Sequence, residues 1–446
     1  MKRYVLIILL FWVGTGIAQT KKWTLEECID YGVEQSLQMQ RQRLQNRNEQ
    51  LSVRDAALSL IPSLNTISPY ANFNYGRGID PETNTFTNIE NKTVGGFNVN
   101  AGVTLFSGFS GINRLRSAKI SKLKGLKETE NLANDLAIQI MNAFFNLVYA
   151  EESIRVTGEQ VDNSSLQLKK MQREYELGRR PKSDLFNMQA QQASNEYQLI
   201  VCQNNRSNAL INLKYIMNYQ EEGELEVDVT TLLKMVPVSE LSDAGSIFDK
   251  AMETLPEAII SRYNVRLYQL NLYATRASLY PTVSMNGGVS FGYYSNQSDG
   301  SFWSQVKDEN RIGKSFGFTM NIPVFSGLGR RSNVSRAKNY YQDAQIVYRQ
   351  KEQSVYKEIR QALLDLESVV QQYKLAEKKE EFSKLSYEAG KKRYEQGLGT
   401  IIDVNTTSNN LLQARYDLLK ARMNYITQKR MVEFYKGVPL QTKVHE

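Results

Sequence analysis

At 446 residues the chain exceeds one ordinary core, yet no composition shift or flexible linker divides it, and only 9 prolines interrupt it. The net charge of +8 is spread along the sequence with no concentrated basic patch, which argues against nucleic acid as a partner and for a solvated surface. The one histidine, His445, lies in a polar tail and leaves almost no material for a His-based metal or catalytic site.

Lys2 and Arg3 precede an unbroken apolar run, Val5 to Val13, and Gly16-Ile17-Ala18 follows. This order reads as a secretory signal cleaved after Ala18. About nine apolar residues are too few for a spanning helix. No cysteine directly follows the cleavage point, so a lipoprotein is disfavoured. The mature chain is thus expected to be exported. Cys28 and Cys202 could pair in an oxidising compartment, though two separate small buried hydrophobes is the simpler reading.

Residues 24–58 read as helix, with Leu25, Ile29, Val33, Leu37, Leu44, Leu51 and Leu58 at helical spacings, ended by Pro62. Residues 63–75 have strand-like composition with poor alternation, and 76–94 read as a loop. Over 97–105 the alternation is clean: Phe97, Val99, Ala101, Val103 and Leu105 share one face, and Asn98, Asn100, Gly102 and Thr104 the other. From Gly111 to about Glu176 the chain is helical and almost free of Gly and Pro. Leu136, Ile140, Ala143, Leu147, Ala150 and Ile154 form a heptad seam in it. Such a rod is about 100 Å long. After a break at 178–184, a second helix of about 54 Å reaches Asn218. Two shorter helices stacked end to end would match one long one. Residues 220–243 read as a small mixed connecting belt.

The pattern then starts again. Phe106-Ser107-Gly108 recurs 219 residues later as Phe325-Ser326-Gly327. The same offset relates Leu60-x-Pro62 to Leu279-x-Pro281, Tyr175-Glu176-x-Gly178 to Tyr394-Glu395-x-Gly397, and Asp184 to Asp403. The chain is therefore read as a tandem duplication. A first repeat spans 19–222, with a β-hairpin at about 62–107 and a tip at about 177–184. A connecting segment covers 223–243. The second repeat spans 244–438, with its hairpin at about 281–325 and its tip at about 396–403, and a tail covers 439–446. In this copy Val283, Met285, Val289, Phe291 and Tyr293 oppose Ser284, Asn286 and Ser290. After a loop at 295–312, Phe316, Phe318, Met320, Ile322 and Val324 oppose Ser315, Gly317, Thr319 and Asn321. Helices follow at 330–395 and 401–436.

A soluble sandwich would give the same alternation. The signal segment, the strand lengths and the aromatic residues near the strand ends favour a membrane barrel. Four strands cannot close one, and an open edge in lipid leaves backbone groups unpaired. The membrane reading therefore demands an oligomer. Phe97, Val99, Val103, Phe318 and Ile322 are then lipid-facing, with Asn100 and Thr319 toward the lumen. No apolar run after the first twenty residues could cross a bilayer as a helix.

The duplication, the two Phe-Ser-Gly junctions and the two tips together resemble the TolC-type outer-membrane efflux proteins over essentially the whole mature chain. The resemblance implies a mixed, mainly α fold: long coiled-coil-like helices forming a periplasmic α-barrel, and four transmembrane strands per chain in a trimeric 12-stranded β-barrel. It implies a homotrimer in the outer membrane with a large periplasmic portion. It implies as partners a periplasmic adaptor (membrane fusion) protein, an inner-membrane pump of RND, ABC or similar type, and outer-membrane lipid. The implied role is the passive exit duct of a tripartite efflux pump or type I secretion system, with no cofactor and no catalysis. The alternative is an exported coiled-coil scaffold or adhesin without a pore.

The resemblance also places function at the tips. Leu177, Gly178, Gly397 and Leu398 become adaptor-contact candidates, beside the plainer reading of the glycines as helix C-caps. Asp184, Asp403 and Thr406 become periplasmic gate candidates. Asp184 follows Ser183 and reads first as a helix-start acid. Asp403, flanked by Ile401, Ile402 and Val404, reads as directed toward a tunnel axis, where three copies would form a carboxylate ring. Two departures stand out. Gly399 occupies a position often basic in the family, and Thr406 one often acidic. Arg179, Arg180 and Lys182 in the first tip read as a solvated turn.

Overall fold

The structure, a computed structural model, describes residues 22–79, 83–220, 225–228, 243–294 and 301–441. The signal segment, most of the connecting belt and the end of the tail lie outside these residues. Helices dominate: α1 (Leu25–Gln35), α2 (Leu37–Leu58), α3 (Ser110–Glu176), α4 (Lys182–Ile216), α5 (Ala244–Thr254), α6 (Pro256–Ala277), α7 (Phe302–Val306), α8 (Gly329–Glu395) and α9 (Ile401–Tyr435). The strands are β1 (Lys22–Trp23), β2 (Ser63–Ile79), β3 (Phe86–Phe106), β4 (Glu226–Val227), β5 (Thr282–Tyr294) and β6 (Ile312–Asn321). The offset of 219 carries α1 onto α5, α2 onto α6, α3 onto α8 and α4 onto α9, residue for residue at both ends.

The duplication extends to the breaks. The helix expected over 24–58 is two helices, because Ser36 is extended at φ −60° and ψ 127°. Its hydroxyl accepts from the Gln38 and Met39 amides at 3.2 and 3.4 Å, starting α2. The equivalent residue Leu255 is extended too, at φ −67° and ψ 125°, and Pro256 opens α6. A hydroxyl cap in one copy and a proline in the other impose the same break.

The chain forms two compact units. The first holds Met1–Gln40, Leu132–Lys250 and Glu358–Glu446. Its core surrounds the α3 seam: Leu136, Ile140, Ala143 and Leu147 are buried with Phe144 and Val148 against Cys28, Ile29, Leu213, Met217 and Tyr425. Each such Leu, Ile or Phe contributes about 1.5–3 kcal/mol. A Cβ on Gly32 would lie 2.4 Å from Ile140 Cδ1 and 3.3 Å from the Met217 Cα, so glycine permits the closest helix approach. Cys28 and Cys202 are both buried and are not joined in a disulfide. Within the described part of the connecting belt, β4 pairs in parallel with β1 near the start of the first repeat.

The second unit holds Arg41–Asn131 and Ala251–Lys357. It contains one antiparallel sheet in the order β2-β3-β5-β6. The first hairpin corrects the expected loop over 76–94: pairing continues from Gly76↔Ile89 to Ile79↔Phe86. Ladder hydrogen bonds do not require the apolar alternation that a sequence pattern detects. The expected loop over 295–312 holds α7 and a 3-10 turn, Glu309–Arg311. β6 stops at Asn321, short of the expected Val324, because Pro323 has no N–H to donate. Ile322 therefore lies just beyond the strand to which the alternation assigned it.

Each Phe-Ser-Gly closes a hairpin and starts a long helix through two left-handed residues: Gly108 (φ +61°) and Phe109 (φ +64°), then Gly327 (φ +57°) and Leu328 (φ +66°). At Gly108 a Cβ would also meet the Ala277 carbonyl oxygen at 2.9 Å. Among the described residues, no helix is long and apolar enough to cross a membrane.

Candidate functional site at the helix tips and on the sheet faces

Both tips reverse the chain in one way. At the first, the Gly178 N–H donates to the Tyr175 carbonyl at 2.9 Å and the Arg179 N–H to that of Glu174 at 2.9 Å. At the second, Gly397 donates to Tyr394 at 3.0 Å and Leu398 to Arg393 at 2.9 Å. Gly178 and Gly397 have φ of +69° and +74°, and nothing lies within 4 Å of a Cβ built on either. Glycine is thus required by backbone conformation, not by crowding. Leu177 and Leu398 stand exposed beside these glycines.

The tips share a small core of Met171, Leu185, Met188, Ile401 and Val404, with Tyr387 and Tyr394 against it. Arg180 reaches across to the second tip. Its guanidinium carbon lies 4.3 Å from the centre of the Tyr394 ring, its Nη2 donates to the Tyr394 carbonyl at 3.1 Å, and its Nε to Glu174 Oε2 at 3.3 Å. The solvated-turn reading of Arg180 is therefore wrong: it clamps one tip to the other. Burial pushes the Tyr394 phenol above its ordinary pKa, Arg180 opposes this, and the Asp184 and Glu174 charges add to it. Lys170 and Glu395 add an exposed ion pair at 3.2 Å, of small value.

The three gate candidates stand differently. Asp403 closes a capping box: its Oδ2 accepts from the Thr400 N–H at 3.0 Å and hydroxyl at 2.8 Å, while its own N–H donates to Thr400 Oγ1 at 3.2 Å. The Thr400 backbone bond, then its hydroxyl, hold this exposed carboxyl below its ordinary pKa. Asp184 is half-buried in the first turn of α4, whose cap, Pro181, offers no side-chain bond. Of the two helix-start aspartates, Asp403 thus closes a box and Asp184 does not. Thr406 is exposed, with its hydroxyl turned back onto the Ile402 carbonyl at 2.8 Å. Above the tips, Lys379 holds the Asp417 carboxyl low, and Arg415 contacts Glu159 and Glu380 at 3.4 and 3.6 Å.

The sheet separates its chemistry by face. Register places Phe97 opposite Phe291, Val99 opposite Val289, and Val103 opposite Met285, which in turn opposes Phe318. Ile67 and Pro69 of β2 join the same face. The other face carries Asn98, Asn100, Ser284, Asn286, Ser290 and Thr319. Its amides fill room left by glycines: a Cβ on Gly288 would lie 2.8 Å from Asn100 Oδ1, and one on Gly102 2.8 Å from Asn286 Oδ1. β2 and β6 each have one unpaired edge in the single chain. No group of three or more His, Cys, Asp or Glu suited to a metal occurs among the described residues.

The profile of the outer membrane efflux protein family matches residues 33–218 and 260–437, well over half the chain and one segment in each repeat. Outer membrane protein TolC of Vibrio cholerae serotype O1 is 22% identical over 295 residues, 65% of either chain. The match thus spans less than two thirds of that relative. Among solved structures, CusC aligns with a TM-score of 0.80 at 16% identity over 94% of this chain and 95% of its own. VceC from Vibrio cholerae aligns with a TM-score of 0.78 at 14% identity over 94% and 97%. At such identities the structures establish the fold alone. The family profile establishes more: the chain belongs to the outer membrane efflux protein family.

Proposed function

We propose that the chain is the passive, homotrimeric exit duct of a tripartite efflux pump or type I secretion system, set in the outer membrane and extending through the periplasm. The observation that carries this is the amphipathic four-stranded sheet with both edges unpaired, fused twice to 67-residue helices. Unpaired edges in lipid cost several kcal/mol per group, so four strands must join those of other copies. Three copies supply twelve strands, an even number large enough to close around a lumen. The polar face then lines water and the apolar face meets lipid. A second feature supports assembly: Leu37, Leu44, Leu51 and Leu58 recur every seven residues on α2 and are exposed in the single chain. A heptad stripe of this kind fits a neighbouring helix.

The tips carry the coupling in this reading. Exposed Leu177 and Leu398, beside Gly178 and Gly397, meet a periplasmic adaptor, which joins an inner-membrane transporter. Asp184, Asp403 and Thr406 line the constricted end. Asp403 serves as cap and as ring carboxylate together, since its Oδ2 takes both Thr400 bonds. The duct catalyses nothing, and the drive comes from the inner-membrane partner.

The test is extraction and conductance. Heat-resistant trimers released from outer membranes only by detergent, and single-channel currents in planar bilayers, are expected. A water-soluble elongated monomer without conductance would overturn the proposal in favour of an exported coiled-coil scaffold. Leu398→Trp is expected to abolish export with trimers intact.

A further inference from the structure

We infer that α7 is a membrane-interface anchor: an aromatic helix on the outward face of the barrel, seated at headgroup level and flanked by lysines that meet lipid phosphate. The inference rests on the barrel reading proposed above. Short connections between strands usually pass over the strand ends. This one folds back onto a sheet face. Phe302 packs edge-on against Phe291 and Tyr293, with ring centres 6.2 and 5.3 Å apart, and Phe291 stacks on Phe97 at 5.6 Å. These rings lie on the face with Val99, Val289 and Phe318, the apolar one. The lumen of a duct must be wet, so this face is outward and α7 lies outside the barrel, not across its mouth.

Depth agrees. The Gly95–Tyr293 pair and Phe106 are separated by eleven residues along β3. At about 3.3 Å per residue and a tilt of about 40°, that is about 28 Å, close to the apolar band of about 25 Å in such barrels. Phe106 and Phe109, in edge contact at 5.5 Å, mark the lower border. Tyr293, Phe302 and Trp303 mark the upper. Trp303 is 71% exposed in the single chain, the position expected of an indole belonging at an interface.

The segment is held, not loose. Ser301 caps α7 through the Ser304 N–H at 3.4 Å, and Arg311 Nη1 donates to the buried Gln305 Oε1 at 2.7 Å. Charge completes the fit. Exposed Lys307 ends α7, and exposed Lys314 stands on the apolar face opposite Val289, two pairs below Phe291. A lysine there keeps its ammonium wet only by extending toward the headgroups, where phosphate is the complementary group.

The test uses the full mature chain as trimers in phosphatidylcholine vesicles, with Trp23→Phe leaving Trp303 as the fluorophore. Acyl chains brominated near the headgroup are expected to quench Trp303 at least twofold more than chains brominated near the tail. A mid-strand reporter, Phe318→Trp with Trp303→Phe, is expected to show the opposite order. Quenching of the strand reporter by lipid, with Trp303 quenched only by aqueous acrylamide, would overturn the anchor and leave the barrel standing. Quenching of neither by lipid would overturn both. Replacing part of the lipid with anionic phosphatidylglycerol should raise Trp303 quenching in this chain and not in Lys307→Gln/Lys314→Gln. An equal response in both would remove the phosphate contact from the proposal.

Discussion

A single charge moved between neighbouring residues tests the sheet assignment. Ala101 and Asn100 are adjacent on opposite faces, Ala101 two positions deeper than the level of Lys314, so Ala101→Lys and Asn100→Lys differ in little but the surface that receives the ammonium. Between Phe106 and the Gly95–Tyr293 level, residue 101 lies at the middle of the band. A lysine on the lipid face there costs about 2–4 kcal/mol per chain. At about 1.4 kcal/mol per decade this is roughly a 30- to 700-fold loss of folded chain, incurred three times per trimer. Asn100→Lys loses one long hydrogen bond, Asn100 Nδ2 to Thr66 Oγ1 at 3.4 Å, worth about 0.5 kcal/mol, and places its ammonium in water. The assay is refolding of urea-unfolded chain into vesicles, scored as heat-resistant trimer on gels. Asn100→Lys should assemble near the parent level and Ala101→Lys hardly at all. Equal assembly of the two would refute the assignment of faces, and with it the barrel.

Other expectations concern the tips. Gly397→Ala and Gly178→Ala should each destabilise their tips by about 1 kcal/mol from positive φ alone, with Gly→Asn milder; protease sensitivity of the purified trimer reads this. Arg180→Gln should loosen the tip clamp by about 1–2 kcal/mol through the lost ring contact and Tyr394 carbonyl bond, and Arg180→Lys should restore only part; hydrogen exchange at 394–404 measures it. The Asp403 carboxyl has its folded pKa below the unfolded value. Its contribution to the start of α9 is therefore present above the ordinary carboxylate pKa and lost as pH falls through the folded one; amide exchange at 401–404 should rise in that acidic window, and Thr400→Val should remove only the hydroxyl's smaller share of the dependence, the backbone bond keeping the rest. In single channels, Asp403→Asn should lower cation selectivity and divalent block, and unchanged currents would assign Asp403 to capping alone.

Legibility followed the range of the interaction. The long helices were readable because heptad spacing is local: the first-copy seam residues are buried, all but the half-buried Ile154, and so are the residues 219 positions after them, Val355, Ile359, Ala362, Leu366, Val369 and Tyr373. The duplication added a second reading of every element and so fixed ends that a single copy leaves vague. Strand extent was less visible. Beyond Val94, pairing with β2 rests on backbone groups that leave no alternation to detect, and the end of β6 turns on one proline. Side-chain contacts across the repeats were not legible at all. Arg180 meets the second tip 214 residues away, and nothing near it distinguishes it from Arg179.

Asp403 shows how a helix start can be read from a short local pattern. Ile401, Ile402 and Val404 correctly imply that Asp403 leaves the apolar face, and the side chain is exposed. Exposure alone, however, does not make a free carboxylate. Thr400 lies three residues earlier, the spacing at which a hydroxyl and a carboxylate bond reciprocally across a helix start. The same reasoning separates the two repeats. Ser183 and Asp184 are adjacent, a spacing that cannot close such a box, and Pro181 opens α4 without a side-chain cap. Asp184 is half-buried, and its charge acts on the Tyr394 phenol of the other tip. The duplicated aspartates therefore occupy equivalent positions and carry different duties. One fixes where α9 begins. The other sits in the electrostatic cluster joining the hairpins, so it is Asp184→Asn, more than Asp403→Asn, that should alter how firmly Arg180 holds the second tip.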